Sequence, residues 1–380
     1  MPFRSLAAFS ALTLLLTSAC THGQGDSPAT VSATPATPGL KDAFRGDFVV
    51  GVAMNPAQFG GRDEKAVALI KREFNSITAE NHMKWIHLQP REGEFTFKHA
   101  DRFVEFGLEH GMWIVGHTLV WHNQLPKWVS APAAGQDTLT KEVLMARLRT
   151  HIQTVAGRYK GKVKGWDVVN EAIEDGSGKL RDSVFMRVIG KEYLVHAFKW
   201  AREADPEAEL YYNDYNLDQD VAKRAAAIDI VKYLRENGAP IDGVGLQGHY
   251  NLSYPPVSRI DETIRLFADL GVKVVITELD VMVLRHEQIS GDVNFWRTNM
   301  SKPGKALTPA DQQALADRYR EVFDVYRKHR GTVTRVTFWG LRDADSWRRT
   351  YSPLIFDDAY QPKPAYQAVL SVAKESSSSE

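Results

Sequence analysis

From about Lys41 to about Lys374 the chain alternates short apolar or β-branched runs with longer stretches in which apolar residues return every three or four positions. The short runs predict strands at Phe48–Ala53, Ser76–Thr78, Trp113–His117, Gly165–Asn170, Glu209–Asn213, Gly243–Gln247, Val274–Thr277 and Arg335–Trp339. The longer stretches predict helices with definite ends. Thr140 opens one in which Leu144, Leu148, Ile152, Val155 and Tyr159 share a face, and Gly161 stops it. Thr308-Pro309-Ala310-Asp311 reads as a cap, a proline at the first helical position and an acid in the first turn, opening a helix that runs to Gly331. Gly238 and Gly271 end two others. Eight strands alternating with helices predict an α/β fold, a parallel (β/α)8 TIM barrel forming a single domain. A doubly wound sheet is the main rival, but no glycine-rich turn follows the first strand as a dinucleotide fold would require.

In such a barrel, function collects where strands leave the core at their C-terminal ends. The run Val274-Val275-Ile276-Thr277 leads into Glu278-Leu279-Asp280, two acids that a buried strand has no packing reason to carry. The strand Gly165–Asn170 leads into Glu171. A single acid there could cap a helix or pair with an arginine, whereas two from opposite sides of one mouth fit glycosidic hydrolysis, which needs two carboxyls in different roles. His117, Asn213, Gln247, His249, Trp339 and, just beyond, Trp347 stand at the other strand ends. These are neutral hydrogen-bonding groups and stacking surfaces, so neither a metal nor a cofactor is expected. His82, His87, His99, His110 and His151 are read as structural histidines.

Charge and aromatic content narrow the partner. Lys plus Arg equals Asp plus Glu at 47 each in 380 residues, which favours neither nucleic acid nor acidic lipid and points to a neutral ligand. Part of the 9 Trp and 13 Tyr is core, and such residues also stack on flat apolar faces of the kind sugar rings present.

Seven segments, in order and across nearly the whole folded region, resemble the endo-β-1,4-xylanases of glycoside hydrolase family 10. They are Thr78-Ala-Glu-Asn-His-Met-Lys-Trp85; Gly116-His-Thr-Leu-Val-Trp-His122 with Gln124 and Pro126-Lys-Trp128; Trp166-Asp-Val-Val-Asn-Glu-Ala172; Tyr212-Asn-Asp-Tyr-Asn216; Gly245-Leu-Gln-Gly-His249; Thr277-Glu-Leu-Asp280; and Phe338-Trp-Gly340. The resemblance implies a retaining double displacement on xylan, with Glu171 as acid/base and Glu278 as nucleophile. It implies that Glu80, Asn81 and Lys84, with His117, Trp121 and Gln124, hold the sugar on the non-reducing side of the cleavage point. Asn170 and Gln247 would contact the reacting sugar or the nucleophile, and His249 and Asp280 would support Glu278. Trp339 and Trp347 would wall the cleft and Tyr215 would reach toward the leaving group, with Asn213 counted among the substrate contacts. The negative charge of Glu278 is expected to raise the pKa of Glu171. A β-1,4-glucan-preferring barrel glycosidase, a glycan-binding lipoprotein without turnover and a phosphate-metabolite barrel enzyme are the alternatives, the last opposed by the lack of a glycine-rich phosphate loop near the last strands.

Outside the barrel, residues 1–20 read as an export signal, with Arg4, an apolar stretch Leu6–Leu16 and small residues before Cys20. The setting of Cys20 resembles a bacterial lipobox, implying lipidation there and membrane attachment at the outer membrane or in the periplasm, with plain secretion as the alternative. Residues 21–40 read as a flexible linker, 41–374 as the catalytic barrel and 375–380 as a disordered tail. A monomer is expected. The stretch Leu284–Leu307, with Phe295, Trp296 and a Lys302-Pro-Gly-Lys305 turn, is long for a βα connection and is expected on the catalytic rim. Arg342 and Arg348 are candidates for contact with acidic sugar decorations.

Overall fold

The computed structural model describes residues 38–284 and 306–374. The expected export segment with Cys20, most of the 21–40 linker, the stretch holding Phe295, Trp296 and Lys302–Lys305, and the tail at 375–380 lie outside the described residues.

The strands are β1 (Val49–Met54), β2 (Ser76–Ala79), β3 (Trp113–Trp121), β4 (Gly165–Asn170), β5 (Glu209–Asp214), β6 (Gly243–Leu246), β7 (His249–Asn251), β8 (Lys273–Met282) and β9 (Val333–Phe338). All neighbouring pairs are parallel, β1 pairs with β9, and β6 pairs with β8, so eight strands close on themselves and the short β7 sits beside the upper half of β8. This is the expected (β/α)8 barrel. Strands covered by helices on one side and by the barrel interior on the other are buried on both faces, which is why β4 and β8 are continuously buried apart from Lys273.

The helix starts hold, while the two helices expected to reach Gly161 and Gly331 end earlier, at Arg158 and Lys328. Thr140 accepts a hydrogen bond from the Val143 N–H at the start of the helix Lys141–Arg158. Thr308 and Asp311 form a reciprocal capping box ahead of Pro309–Lys328. Gly238 and Gly271, at φ 64° and 65°, follow the helices Val221–Glu236 and Val257–Asp269. Leu40 is fully buried in the helix Leu40–Ala43, and its N–H donates to Glu73 Oε2 at 3.0 Å, so it already belongs to the packed barrel, ahead of the expected boundary at Lys41.

Two strands run further than their apolar stretches predict, and both overruns serve the mouth of the barrel. The third continues through Trp121, and the seventh barrel strand, expected to stop at Thr277, continues to Met282. Extra residues are accommodated as register shifts between His117 and Val120 on β3, Asp167 and Val169 on β4, and Ile276 and Leu279 on β8. Such bulges re-aim side chains, and these three fall beside His117, Asn170–Glu171 and Glu278. Glu278 and Asp280 therefore lie within a strand, not beyond its end. The unexpected β7 supplies the pairing that β6 no longer provides, with His249 opposite Asp280. Gly245 on β6 is required by close approach: a Cβ there would sit 2.3 Å from Asn213 Oδ1.

Candidate active site

The C-terminal mouth of the barrel opens into a cavity of about 490 Å3. Its wall includes every expected site residue except Asp280, Asn213 and Tyr215, and adds His82, His87 and Arg349.

Glu171 and Glu278 both face this cavity, each nearly withdrawn from solvent. Glu171 follows β4 with its backbone at φ 56°, a left-handed conformation that costs a residue with a side chain about 1–3 kcal/mol and must be held by its surroundings. It is held: its N–H donates to Asn213 O at 2.9 Å and its carbonyl accepts from Arg181 Nε at 2.9 Å. The carboxylate accepts from Gln247 Nε2 at 3.0 Å and Trp121 Nε1 at 2.7 Å. Burial, with the negative charge of buried Asp214, pushes the Glu171 pKa up to about 7 against the pull of those two donors. The charge of Glu278 raises it as well, as expected. Burial leads and Asp214 follows, with Glu278 behind them.

Those groups set Glu278 the other way. Burial would raise its pKa, but the hydrogen bond from His249 and the positive fields of His117, His249 and Lys84 outweigh burial and hold it below the usual carboxylate range. Its Oε1 accepts from Asn213 Nδ2 at 3.0 Å and its Oε2 lies 3.3 Å from His249 Nε2. Behind it, His249 Nδ1 is 3.1 Å from Asp280 Oδ1, which Arg348 Nη1 meets at 3.0 Å, while Trp347 Nε1 donates to Asp280 Oδ2 at 2.8 Å. Burial alone would lower the His249 pKa, but Asp280 and the hydrogen bonds to Asp280 and Glu278 outweigh it and shift the imidazole toward its charged form. Gln247 joins the two acids, since its side chain donates to Glu171 and its carbonyl accepts the Glu278 N–H at 2.8 Å.

Asn213 is not a substrate contact. It is fully buried, donates to both Glu278 and Asn170 Oδ1 (2.9 Å), and accepts from Thr277 Oγ1 at 2.7 Å, so it fixes the acids from behind. Its grip on the Asn170 oxygen leaves the Asn170 amide N–H groups for the cavity that Asn170 lines. Tyr215 likewise does not reach the cavity. It is buried, accepts from Arg181 Nη2 at 3.0 Å, and lies 3.3 Å from Lys223 Nζ at its ring centroid. Fully buried Lys223 is paired in turn with Asp214 at 2.9 Å, so Tyr215 belongs to the layer that supports Glu171. Arg348 is fully buried against Asp280 and cannot meet a decoration, and Arg342 is engaged with Asp345 at 3.0 Å.

On the far side, Lys84 Nζ donates to Asn81 Oδ1 at 3.0 Å and stands 4.9 Å above the Trp121 ring. Burial raises the Glu80 pKa against the pull of Lys84 and Asn81. His117 Nδ1 lies 2.9 Å from Asp167 Oδ2, and its ring meets Trp339 edge-on at 5.3 Å. His151 fits its structural reading, buried and stacked 3.8 Å from Trp85. His82 and His87 do not, because both face the cavity. No group of three His, Cys, Asp or Glu side chains suited to a metal ion occurs among the described residues.

The chain matches the model of Glycosyl hydrolase family 10 over residues 39–372. It is 39% identical over 341 residues to Endo-1,4-beta-xylanase B of Paenibacillus barcinonensis, covering 88% of this chain and 98% of that one. It is 40% identical over 344 residues to Endo-1,4-beta-xylanase of Geobacillus stearothermophilus, with 88% and 98% covered. Among solved structures, a GH10 endoxylanase from sugarcane soil metagenome superposes with a TM-score of 0.81 at 40% identity, covering 89% of this chain and all of that one.

The Asp280–Arg348 pair makes a stability prediction. Arg348→Met removes one of the two cationic partners of buried Asp280, the other being His249, and is expected to lower unfolding free energy by about 3 kcal/mol in urea titration. A loss below about 1 kcal/mol would show that Asp280 does not depend on the pair.

Proposed function

The chain belongs to Glycosyl hydrolase family 10, and on that premise we propose that it is an endo-1,4-β-xylanase that cleaves internal bonds of xylan with retention. The observation that carries the reading is the opposite treatment of two acids at one cavity. Glu171 keeps its proton up to about pH 7 while Glu278 is held ionised. That is the division of labour a retaining glycosidase needs.

In the first step the Glu278 carboxylate attacks the anomeric carbon as Glu171 passes its proton to the departing glycosidic oxygen. The ester that forms neutralises Glu278. In the second step the ionised Glu171 takes a proton from water, the water oxygen bonds to the anomeric carbon, and Glu278 leaves as carboxylate. Asn170 offers its amide to the hydroxyl neighbouring the reacting carbon, where hydrogen bonds strengthen as positive charge develops. His249 and Asp280 act as positioning residues that keep Glu278 charged and fixed. Glu80, Asn81, Lys84, His117, Trp121 and Gln124 hold the glycone, with Gln247 beneath the reacting sugar and Trp339 and Trp347 as stacking walls. We also propose that the chain is exported and anchored through lipidated Cys20. The support is the sequence of the first twenty residues.

Glu278→Ala is expected to stop release of reducing sugar from xylan while leaving the unfolding transition in place, and Glu171→Gln to slow it by about a hundredfold to ten-thousandfold. Full activity in either variant would remove that residue from the scheme. Faster turnover of carboxymethylcellulose than of xylan by the wild type would favour the glucanase alternative, and binding without product would favour the lectin-like one.

The pH profile of kcat/KM should fall as pH rises through about 7, where Glu171 loses its proton, and fall again in acid once Glu278 is protonated. Both limbs belong to the coupled pair. The Trp121 N–H stabilises ionised Glu171, so Trp121→Phe should move the alkaline limb to higher pH. A limb that stays put or moves down contradicts this assignment.

For the anchor, cell fractionation should find the wild-type protein with membranes and Cys20→Ser in the soluble fraction. Equal partitioning of the two would exclude lipidation at Cys20.

A further inference from the structure

After Glu171 the chain leaves the barrel mouth and returns to it ten residues later. It runs out through Ala172 and Ile173, turns at Gly176 and Gly178 with φ 70° and 64°, and comes back to Arg181. Ile173 and Leu180 face each other in an antiparallel bridge. The Glu174 N–H donates to Lys179 O at 2.9 Å and the Arg181 N–H to Ala172 O at 2.7 Å. The tip is fastened to the helix Val221–Glu236, where the Gly176 N–H donates to the Asp220 carboxylate at 2.6 Å and Asp175 pairs with buried Lys223 at 2.8 Å. Gly178 approaches so closely that a Cβ there would lie 2.7 Å from Ala222 O.

What this braced hairpin delivers is one guanidinium. Arg181 Nε donates to Glu171 O at 2.9 Å, and Nη2 donates to Ile173 O and to the Tyr215 hydroxyl, each at 3.0 Å. Nε and Nη2 form one edge of a rigid planar fork, so two backbone carbonyls are held in a fixed relation to each other. All three acceptors are neutral. The guanidinium is thus placed on the backbone of the acid and not opposite a carboxylate.

That backbone is the left-handed one, φ 56° at Glu171. The conformation aims the carboxyl at Gln247 Nε2 and Trp121 Nε1. Relaxation to an ordinary negative φ would swing Cβ, and the carboxyl with it, away from both donors. Asn213 O holds the N–H of the strained residue, and Arg181 holds its carbonyl.

We propose that Arg181 is a positioning residue for proton transfer, gripping Glu171 O and Ile173 O so that the acid stays aimed at the departing glycosidic oxygen. Arg181 keeps its own protons throughout, and Glu278, on another strand, does not depend on it. The proposal rests on the reading of Glu171 as acid/base and deepens it.

The test compares two substrates in the same variants. The departing sugar of xylotetraose needs a proton, whereas the phenolate of 2,4-dinitrophenyl xylobioside leaves without one. Compared as kcat/KM, both report the formation of the ester and not its hydrolysis. Arg181→Met should lower kcat/KM on xylotetraose by about tenfold to hundredfold, through kcat and not KM, and leave the dinitrophenyl substrate within about twofold of wild type. The second rate also shows that the fold and Glu278 are intact. Arg181→Lys keeps the charge but loses the fork; it should show the same split to a smaller degree, and it carries the test if the methionine variant does not fold. Equal falls on both substrates would make Arg181 a structural residue, an unchanged xylotetraose rate would leave Glu171 positioned without it, and a fall carried by KM alone would make it a binding group. Each overturns the proposal. Glu171→Gln, measured alongside, should show the same split more strongly; if it does not, the acid assignment itself fails, so the two failures are distinguishable.

Discussion

A carboxylate taken out of water must either keep a proton or be surrounded by compensating charge and donors. The two acids at the barrel mouth take opposite courses, and most of the polar structure around them follows from that. Glu171 is buried with two neutral donors, Gln247 and Trp121, and with another acid, Asp214, behind it, so it holds its proton. Glu278 is buried beside an imidazole whose charged form Asp280 favours, with an amide from Asn213, and these hold its pKa down. Each acid then needs its own support. Asp214 is tied to buried Lys223 and to the Tyr212 hydroxyl, and Asp280 to buried Arg348 and the Trp347 indole.

The barrel makes this affordable by delivering the supports on adjacent strands. Asn213 on β5 reaches Asn170 on β4 and Thr277 and Glu278 on β8 because Gly245 on the intervening β6 leaves room for it. Bulges in β3, β4 and β8 turn the last residues of those strands toward the cavity, and β7 places His249 opposite Asp280. The scaffold is thus regular where it is apolar and irregular only at the end that carries the chemistry.

Much of this was legible in the sequence. Period and turn signals gave the strands and helix ends, and an acid following a β-branched run marked Glu278 as out of place in a core. What escaped was decided by neighbours distant in the chain. Nothing local tells that Lys223 covers Tyr215, that Asp280 claims Arg348, or that Asn213 faces inward between two strands. The run His249–Asn251 was too short and too polar to read as a strand, and β8 overran its apolar stretch because its polar residues face the mouth. His82 and His87 passed as structural because a lone histidine carries no local mark of the cavity it faces.

The central claim is that Glu278, kept ionised by His249, is the group that bonds to sugar. Mass spectrometry of the protein after reaction with a xylobioside bearing 2-fluorine and a good leaving group tests it directly. Fluorine slows both steps while the leaving group rescues the first, so a glycosyl ester should accumulate on the peptide containing Glu278. A label on any other residue, or an unlabelled protein that turns the compound over with inversion, would contradict the account.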